Sequence, residues 1–324
     1  MVTALRAAIF QMRYLERVPP HAAVHESVEF VKAHKRAASG FVNAVLRKVT
    51  RQPLRWPDEA TELSCPAWLL GRWISQFGPE QARVIALAAL SEPASYIRIR
   101  PGDAPPEGVP VEPTPVEGCF RVLSASHLPG AKTEVRFQDI GSQAIIPLLD
   151  LQPGHSYLDL CAAPGNKTMQ ALETPLALAV ACDASPRRIR EIPPGCHRVV
   201  LDATHALPFS RQFDRILIDA PCSGTGTLAR NPEIKWRVQS LDFEQFQRKQ
   251  VAIVLQALPL LAPGGKLLYS SCSLESEENR GVVSKVLASV ADFRCSREVQ
   301  RLPGREEGDG FYAALLERES GTVE

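Results

Sequence analysis

The second half of the chain, after Gln138, alternates short apolar runs with stretches of helical periodicity. The runs that predict strands span residues 156–160, 177–182, 198–201, 215–218 and 266–270. Helical periodicity is clearest at residues 243–261 and 275–289. Strands that alternate with helices connect through right-handed crossovers and form a parallel sheet covered on both faces. The pattern therefore predicts an α/β, Rossmann-like fold, with residues 310–316 as a late antiparallel strand at or near an edge of the sheet.

The front of the chain has a different, all-helical pattern. Apolar residues recur at helical spacing from residue 4 to 49, and Pro19-Pro20 and Ser39-Gly40 divide this stretch into three predicted helices. Up to Pro57 it holds ten basic and three acidic residues, a net charge of +7, which leaves −6 for the remainder and +1 for the chain of 324 residues. Such a cluster is either a solvated helical face or a surface that attracts nucleic-acid phosphates.

Between these two regions the chain has weak periodicity and many prolines. Residues 52–66 are a candidate linker, 67–77 and 79–90 predict helices, and 96–100 predict a short strand. Residues 101–118 contain six prolines and four acidic residues, and we expect a loop without fixed structure there. The predicted domains are therefore a helical segment over 1–57, a linker with a small subdomain over 58–137, and an α/β domain over 138–324.

Composition excludes several classes of protein. With 45% hydrophobic and 23% charged residues, the chain is neither a disordered tail nor a collagen-like protein. None of its eight cysteines forms a C-x-x-C pair, so we expect neither a zinc ribbon nor any other metal site. A chain this long needs no disulfides for its core, and it shows neither a signal peptide nor an apolar stretch long enough to span a bilayer. We therefore expect a reduced, cytoplasmic protein with no membrane role.

Polar and small residues follow three consecutive predicted strands. The first strand leads into a small-residue turn over 161–168, where backbone N–H groups can approach a ligand. Asp183 follows the second strand, where a carboxylate can accept from ribose hydroxyls, and Asp202 follows the third, where one can accept from an adenine amino group. Either acid alone is more often a helix cap or a surface residue. Because open α/β sheets bind ligands at the carboxyl ends of their strands, the three together indicate a nucleotide-type site.

Two cysteines lie at the ends of later predicted strands. Cys222 belongs to an Asp-Ala-Pro-Cys sequence that starts at Asp219, and Cys272 belongs to a Ser-Cys-Ser sequence. A lone cysteine is usually a small buried hydrophobe. Two at neighbouring strand ends, each flanked by hydroxyl residues, indicate thiol chemistry instead.

These segments carry a family resemblance. CAAPGNKT (161–168), DAPCSGTGTLARNPEIKW (219–236) and YSSCSLESEEN (269–279) resemble, in order and spacing, the motifs of the Sun/NOP/RsmB family of RNA cytosine-C5 methyltransferases. The resemblance covers about residues 138–317. VPPHAAVHESVEFVK (18–32) and GFVNAVLRKV (40–49) resemble the NusB-like RNA-binding domain fused to the bacterial members that modify small-subunit ribosomal RNA. That domain begins late here, so we expect a shortened form of it.

The resemblance implies a function and a set of roles. The expected reaction is rRNA processing by methyl transfer from S-adenosyl-L-methionine to C5 of a cytosine in RNA, with 16S rRNA as the expected substrate, to give 5-methylcytosine. Cys272 is the implied nucleophile that adds to C6, Cys222 assists release of the covalent adduct, Asp219 holds the cytosine N3/N4 edge, and Lys167 is its companion contact. The reacting base must leave any stack to reach these groups. The implied cofactor-binding residues are Cys161, Ala162, Ala163, Pro164, Gly165, Asn166, Lys167, Asp183, Asp202 and Asp219.

Alternatives remain at this stage. Cys222 could itself be the nucleophile, because DNA cytosine-C5 methyltransferases use a Pro-Cys pair. The chain could also be a non-catalytic RNA-binding or assembly protein of the same fold, a tRNA cytosine-C5 methyltransferase, or a DNA or protein methyltransferase. It departs from the family at Asn166, where a glycine is usual and where we expect the ability of Asn to adopt left-handed backbone angles to preserve the turn. A second departure is the short, Pro-containing connection between Asp183 and Asp202.

Overall fold

The computed structural model describes residues 1–51, 55–124 and 135–318. The start of the predicted linker, residues 52–54, lies outside the described residues. The chain divides into two compact units, Met1–Glu59 and Ala60–Glu324.

The first unit contains three helices, α1 (Val2–Tyr14), α2 (Pro20–Lys35) and α3 (Ser39–Arg51). Proline suits the first turn of a helix, and α2 begins at Pro20, so the predicted break at Pro19-Pro20 is confirmed. The predicted break at Ser39-Gly40 is wrong: both residues lie inside α3, and a 3₁₀ turn over Arg36–Ala38 separates the helices instead. The buried core of this unit comprises Ala4, Ala8, Val31, Ala38, Val42 and Leu46.

Helix α4 (Glu59–Glu62) begins at the last residue of the first unit, and the second unit continues with a helical layer that includes α5 (Ala67–Phe77) and α6 (Pro79–Ala88). Gly78 joins α5 to α6 with a φ of +83°, a conformation that favours glycine. Trp73 of α5 is fully buried in a cluster with Phe243 and Leu274, which come much later in the chain. The helical layer is therefore fixed to the segment that follows Cys272.

A small antiparallel sheet follows, with strands β1 (Tyr96–Arg98), β2 (Val111–Pro113), β3 (Cys119–Val122) and β4 (Arg136–Phe137) in the order β2-β3-β1-β4. The strand predicted at 96–100 is confirmed, although it ends two residues earlier. The expectation of no fixed structure over 101–118 is wrong at β2, which pairs with β3. Pro113 is compatible with this pairing because β2 is an edge strand, and an edge strand can leave one row of backbone groups unpaired.

The main sheet has seven strands in the order β10-β11-β9-β8-β5-β6-β7. Their bounds are β5 (Ser156–Asp159), β6 (Leu178–Asp183), β7 (His197–Val200), β8 (Phe213–Asp219), β9 (Leu261–Ser271), β10 (Phe293–Arg301) and β11 (Phe311–Arg318). Strands β5 to β9 are parallel, and β11 pairs antiparallel with both β9 and β10. The predicted mostly parallel α/β fold and its late antiparallel strand are confirmed. The strand order reverses beside β5, whose neighbours are β6 and β8, and ligands bind at such switch points.

The remaining helices are α7 (Ile140–Gln143), α8 (Asn166–Ala171), α9 (Ile234–Arg237), α10 (Ser240–Ala257) and α11 (Arg280–Ser289). The helix predicted at 243–261 ends at Ala257, since Pro259 cannot continue it and Leu261 already begins β9. The helix predicted from residue 275 begins only at Arg280, because residues 276–279 form turns. Between β6 and β7 there is one 3₁₀ turn, Arg188–Glu191. No helix within the described ranges is long and apolar enough to cross a membrane.

Candidate active site

The carboxyl ends of the five parallel strands open into one cavity of about 640 Å³. Its lining comprises Leu160, Cys161, Ala163, Asp183, Ala184, Arg188, Leu201, Asp202, Ala203, Thr204, Asp219, Ala220, Pro221, Cys222, Arg248, Lys249, Ala252, Ile253 and Cys272. This volume is typical of sites for small molecules and cofactors. The structure thus brings both predicted acids and both predicted cysteines to one cavity.

The turn after β5 is shaped by small residues. Ala163 is followed by a cis peptide bond to Pro164, and Gly165 then takes a φ of +108°. A Cβ at Gly165 would lie 3.2 Å from the Cα of Ile192, so the turn needs glycine both for its backbone angle and for space. Cys161 and Ala163 line the cavity, whereas the other predicted residues of this segment, Ala162, Pro164, Gly165, Asn166 and Lys167, are not part of its lining.

Asn166 is the first residue of α8, not a left-handed turn residue. The non-glycine residues with positive φ among those described are Ser64 and Asp150. The expectation that left-handed tolerance at Asn166 preserves the turn is therefore wrong, since Gly165 supplies that conformation. The Asn166 Nδ2 donates to the carbonyl of Phe137 at 3.3 Å. Asparagine in place of glycine at position 166 therefore introduces no backbone strain, and its side chain adds a hydrogen bond to β4.

The two acids that follow β6 and β7 differ in their surroundings. Asp183 is buried, and its carboxylate accepts from the backbone N–H of Ala163 at 3.3 Å and of Ser185 at 2.8 Å. Asp202 is exposed and accepts from the backbone N–H and the hydroxyl of Thr204 at 2.9 and 2.7 Å. These hydrogen bonds lower the pKa of Asp202. Asp202 thus forms the local turn that isolated acids often form, while its side chain still borders the cavity.

A partly buried ion pair joins Lys167 of α8 to Asp219 at the end of β8. The Nζ of Lys167 lies 2.7 Å from the Oδ2 of Asp219, and the Ser270 hydroxyl donates to Oδ1 at 3.0 Å. Lys167 is 10% exposed and Asp219 32% exposed at their side chains, so the carboxylate is the more accessible partner. Lys167 also lies over the ring of Phe311, with Nζ 5.2 Å from the centroid. The pair presents a fixed carboxylate to the cavity beside the cysteines.

The Sγ atoms of Cys222 and Cys272 lie 3.2 Å apart, and both cysteines are free thiols. Their hydrogen bond and the burial of Cys222 raise the pKa of Cys222 well above its ordinary value. This favours a protonated Cys222, with its sulfur within hydrogen-bond distance of the sulfur of Cys272. The arrangement provides one thiol that can hold a proton and a second sulfur that can act as a nucleophile.

Two groups of site residues were missed in the sequence. Asp159, at the end of β5, is fully buried and accepts from the hydroxyl of Thr168 at 2.7 Å. Burial raises its pKa to about 7. Its position directly after an apolar run, like that of Asp183, was the available signal. Arg188, Arg248 and Lys249 line the cavity, and helical periodicity gave no signal for them.

The second missed group is the acidic run after Cys272. Glu275 and Glu278 are both fully buried, although charged residues are rarely buried unless they are paired. Glu275 accepts from Arg72 and Trp73 of α5, and Glu278 accepts from Ser223 and Ser273 beside the two cysteines. Burial raises the pKa of Glu278, and hydrogen bonds from Ser223 and Ser273 oppose that rise.

Among the described residues, no cluster of three or more metal-ligating side chains is present.

Comparisons with known proteins point to one family. The profile of a family described as 16S rRNA methyltransferase RsmB/F matches residues 146–317, and that of the NusB family matches residues 1–51. The chain is 34% identical over 348 residues to ribosomal RNA small subunit methyltransferase B of Yersinia pestis bv. Antiqua (strain Angola), covering 96% of this chain and 81% of that protein. The corresponding protein of Yersinia pseudotuberculosis serotype O:1b (strain IP 31758) gives the same values.

Solved structures share the fold. PH0851 superimposes with a TM-score of 0.79 and 22% identity over 97% of this chain and 81% of that chain. NSun6 from Pyrococcus horikoshii gives a TM-score of 0.68 and 19% identity over 79% of this chain and 98% of that chain. At these identities the likeness supports the architecture of the second unit and of the sheet that carries the cavity.

Proposed function

The chain belongs to the RsmB/F family of S-adenosyl-L-methionine-dependent rRNA methyltransferases, and from this premise we propose that it methylates C5 of a cytosine in 16S rRNA through a covalent Cys272–C6 adduct. The observation that carries the proposal is the 3.2 Å approach of two thiols in the lining of a cavity that Asp219 also lines. A methyltransferase that modified an atom that is already nucleophilic would not need a cysteine of its own to activate the substrate.

The cavity fits the cofactor by its size and by its donors and acceptors. It offers about 640 Å³, a small-residue turn closed around Gly165, and carboxylates at Asp183 and Asp202. When bound, S-adenosyl-L-methionine supplies an electrophilic methyl group on a sulfonium. We assign its binding to the residues of the turn and to the strand-end acids: Cys161, Ala162, Ala163, Pro164, Gly165, Asn166, Lys167, Asp183, Asp202 and Asp219.

Cys272, Cys222 and Asp219, which also line the cavity, would act on the base. Cys272 forms a bond from Sγ to C6 of cytosine, which makes C5 enamine-like and able to take a methyl group. A solvent base then takes the C5 proton, the electrons of that C–H bond re-form the C5–C6 double bond as the Sγ–C6 bond breaks by β-elimination, and Cys272 leaves as a thiolate that can take the proton of the Cys222 thiol. Asp219, held by Lys167, accepts from the N4 amino group and, once N3 has taken a proton, from N3–H; protonation of N3 neutralises the negative charge that addition of the thiolate places on the ring.

The raised pKa of Cys222 supports this division of roles between the cysteines. A thiol that keeps its proton is suited to exchange one with the departing Cys272 sulfur, and it is a poor nucleophile itself. The opposite assignment, with Cys222 as the nucleophile, would require the cysteine with the raised pKa to lose its proton first.

We assign RNA attraction to the helical segment over 1–57, a small subdomain to 58–137 and catalysis to 138–324. The net charge of +7 at the front supports this division, because Lys and Arg that neutralise phosphates give affinity that does not depend on sequence. The rest of the chain has a net charge of −6 and includes Asp183, Asp202 and Asp219, the acids that we assign to the cofactor.

Incubation with methyl-labelled S-adenosyl-L-methionine and, separately, 16S rRNA, tRNA and DNA tests the proposal. We expect label in 5-methylcytosine of 16S rRNA, and loss of that label with Cys272→Ala. Label that appears mainly in tRNA or DNA would contradict the substrate. RNA binding with no transfer to any pool would identify a non-catalytic RNA-binding protein.

A further inference from the structure

The two cysteines lie on separate loops, and one buried side chain joins those loops. The Cys222 loop is residues 220–224, after β8, and the Cys272 loop is residues 272–275, after β9. Glu278 is fully buried. Its Oε1 accepts from the Ser223 hydroxyl at 2.5 Å and from the Ser273 hydroxyl at 2.7 Å. Because each serine directly follows one cysteine, a single carboxylate oxygen holds both loops.

The second carboxylate oxygen fixes the Cys222 loop further. Oε2 of Glu278 accepts from the backbone N–H of Ser223 at 2.8 Å and from the Nε2 of Gln250 at 3.2 Å. The same Nε2 donates to the carbonyl of Pro221 at 2.9 Å. The residues on both sides of Cys222 are therefore tied to Glu278, one directly and one through Gln250 of α10.

The groups around Glu278 suit a carboxylate. All four hydrogen bonds to the Glu278 side chain come from donors: two hydroxyls, one backbone amide and one side-chain amide. A carboxylate accepts at both oxygens, whereas the amide of glutamine would direct its own N–H groups at donors on one side. A substitution that keeps the shape but removes the second acceptor therefore weakens the link that Glu278 makes between the loops, and it leaves the 3.1 Å contact between the Ser223 and Ser273 hydroxyls in place.

Glu275 provides a natural contrast within the same segment. It is also fully buried, but it accepts from Arg72 at 3.0 Å and from the indole N–H of Trp73 at 3.1 Å, both on α5. It anchors the Cys272 loop to the helical layer and makes no hydrogen bond to the Cys222 loop.

We propose that Glu278 is a positioning residue, which keeps the sulfur of Cys222 within reach of the sulfur of Cys272 by holding Ser223 and Ser273 on one carboxylate. Its catalytic consequence rests on the proposed function: with the loops uncoupled, Cys272 still adds to C6, but Cys222 no longer assists release. The distance between the sulfurs does not depend on that function.

The distance arm of the test uses the cysteines as the probe. Diamide takes two electrons and two protons from the two thiols to form a Cys222–Cys272 disulfide, which peptide mapping after alkylation quantifies. We expect Glu278→Gln to slow this oxidation at least about tenfold, Glu278→Asp to recover part of the rate, and Glu275→Gln to stay within about twofold of wild type. An unchanged rate in Glu278→Gln, or an equal slowing in Glu275→Gln, would overturn the proposal.

The chemical arm follows the covalent RNA adduct. In folded Glu278→Gln we expect the covalent RNA adduct to accumulate while the rate of turnover falls. In Glu275→Gln we expect the adduct level and the turnover rate not to diverge in this way. If wild-type protein forms no RNA adduct at all, the proposed function fails, while the oxidation rates still decide the role of Glu278. If Glu278→Gln does not fold, Ser223→Ala gives the same test, since it removes one of the shared hydrogen bonds. Wild-type oxidation in Ser223→Ala would then count against the proposal.

Discussion

The backbone N–H of Gly226 donates to the carbonyl of Cys272 at 2.9 Å, so the segment after one cysteine directly supports the other. The carbonyl of Gly226 in turn accepts from the N–H of Gly310 at 2.8 Å. A Cβ at Gly226 would lie 2.8 Å from the Cys272 carbonyl oxygen and closer still to that of Gly310. The approach of these backbones, and with it the placement of Cys272, needs glycine at this position.

Gly226→Ala should therefore lower both stability and activity. Overpacking against backbone atoms costs roughly 1–3 kcal/mol of unfolding free energy, and the Cys272 loop must move to make room. Denaturant unfolding and methyl transfer on the same preparation measure the two effects. Gly71→Ala is the matched control, because Gly71 lies in α5 and a Cβ there would meet nothing within 4 Å. This variant should gain up to about 1 kcal/mol of unfolding free energy, since alanine favours the helix more than glycine does. Equal stability of the two variants would contradict the crowding at Gly226.

Asp219→Asn should reduce kcat far more than cofactor affinity. The substitution keeps the size of the side chain but removes the charge that Lys167 holds at 2.7 Å. Loss of one preorganised stabilising group costs roughly 10²-fold in kcat. Single-turnover methyl transfer, together with equilibrium binding of S-adenosyl-L-methionine, separates the two quantities. Ser270→Ala, which removes only the hydrogen bond to Oδ1, should stay within about tenfold of wild type in kcat. A kcat in Asp219→Asn as high as that of Ser270→Ala would exclude the proposed contact with the base.

Neutralising Lys35, Arg36, Arg47 and Lys48 should weaken RNA binding and flatten its salt dependence. All four side chains are exposed on the first unit. Loss of four phosphate contacts should reduce the slope of log K against log salt by about 3, as counterion release predicts. Neutralising four other exposed residues, Arg280, Arg294, Arg297 and Arg305, is the control with equal charge change, and it should leave the slope unchanged. Equal slopes for both quadruple variants would identify the front segment as an ordinary solvated face.

The buried carboxyl of Asp159 should make stability fall as pH rises. Burial raises its pKa to about 7 in the folded protein, above its ordinary value near 3.9, so the folded state binds this proton more tightly than the unfolded state. The stabilisation is fully present below about pH 4 and is lost as pH rises through about 7. Between pH 5 and 7 the unfolding free energy should fall by about 2 kcal/mol relative to Asp159→Asn, measured by denaturant titration at each pH. Parallel pH profiles for the two proteins would contradict a raised pKa at Asp159.

The strand ends were the part of the fold that the sequence predicted best. Apolar runs bounded by turns identify buried parallel strands directly, and Asp183, Asp219 and Cys272 were placed correctly because each lies at or directly after the end of such a run. Strand β10 was missed, since its residues are mostly polar and exposed and it lies at the edge of the sheet. The late start of α11 was missed because the acids of residues 275–279 fit helical spacing.

The ties between the cysteine loops could not be predicted in the same way. Glu278 contacts Ser223 across 55 positions, and its role depends on burial and on the direction of four hydrogen bonds. Periodicity reports which face of an element is buried, but it does not report which distant loop that face meets. The available signal was a run of acidic residues beside a Ser-Cys-Ser sequence, in a segment that directly follows a buried strand.

The most direct test of the proposed mechanism compares Cys222→Ala with Cys272→Ala after each is mixed with 16S rRNA and S-adenosyl-L-methionine. Denaturing electrophoresis measures the fraction of protein covalently bound to RNA. If Cys272 is the nucleophile and Cys222 assists release, Cys222→Ala should accumulate the adduct and Cys272→Ala should form none. Adduct that accumulates in Cys272→Ala and is absent from Cys222→Ala would contradict the mechanism and would make Cys222 the nucleophile.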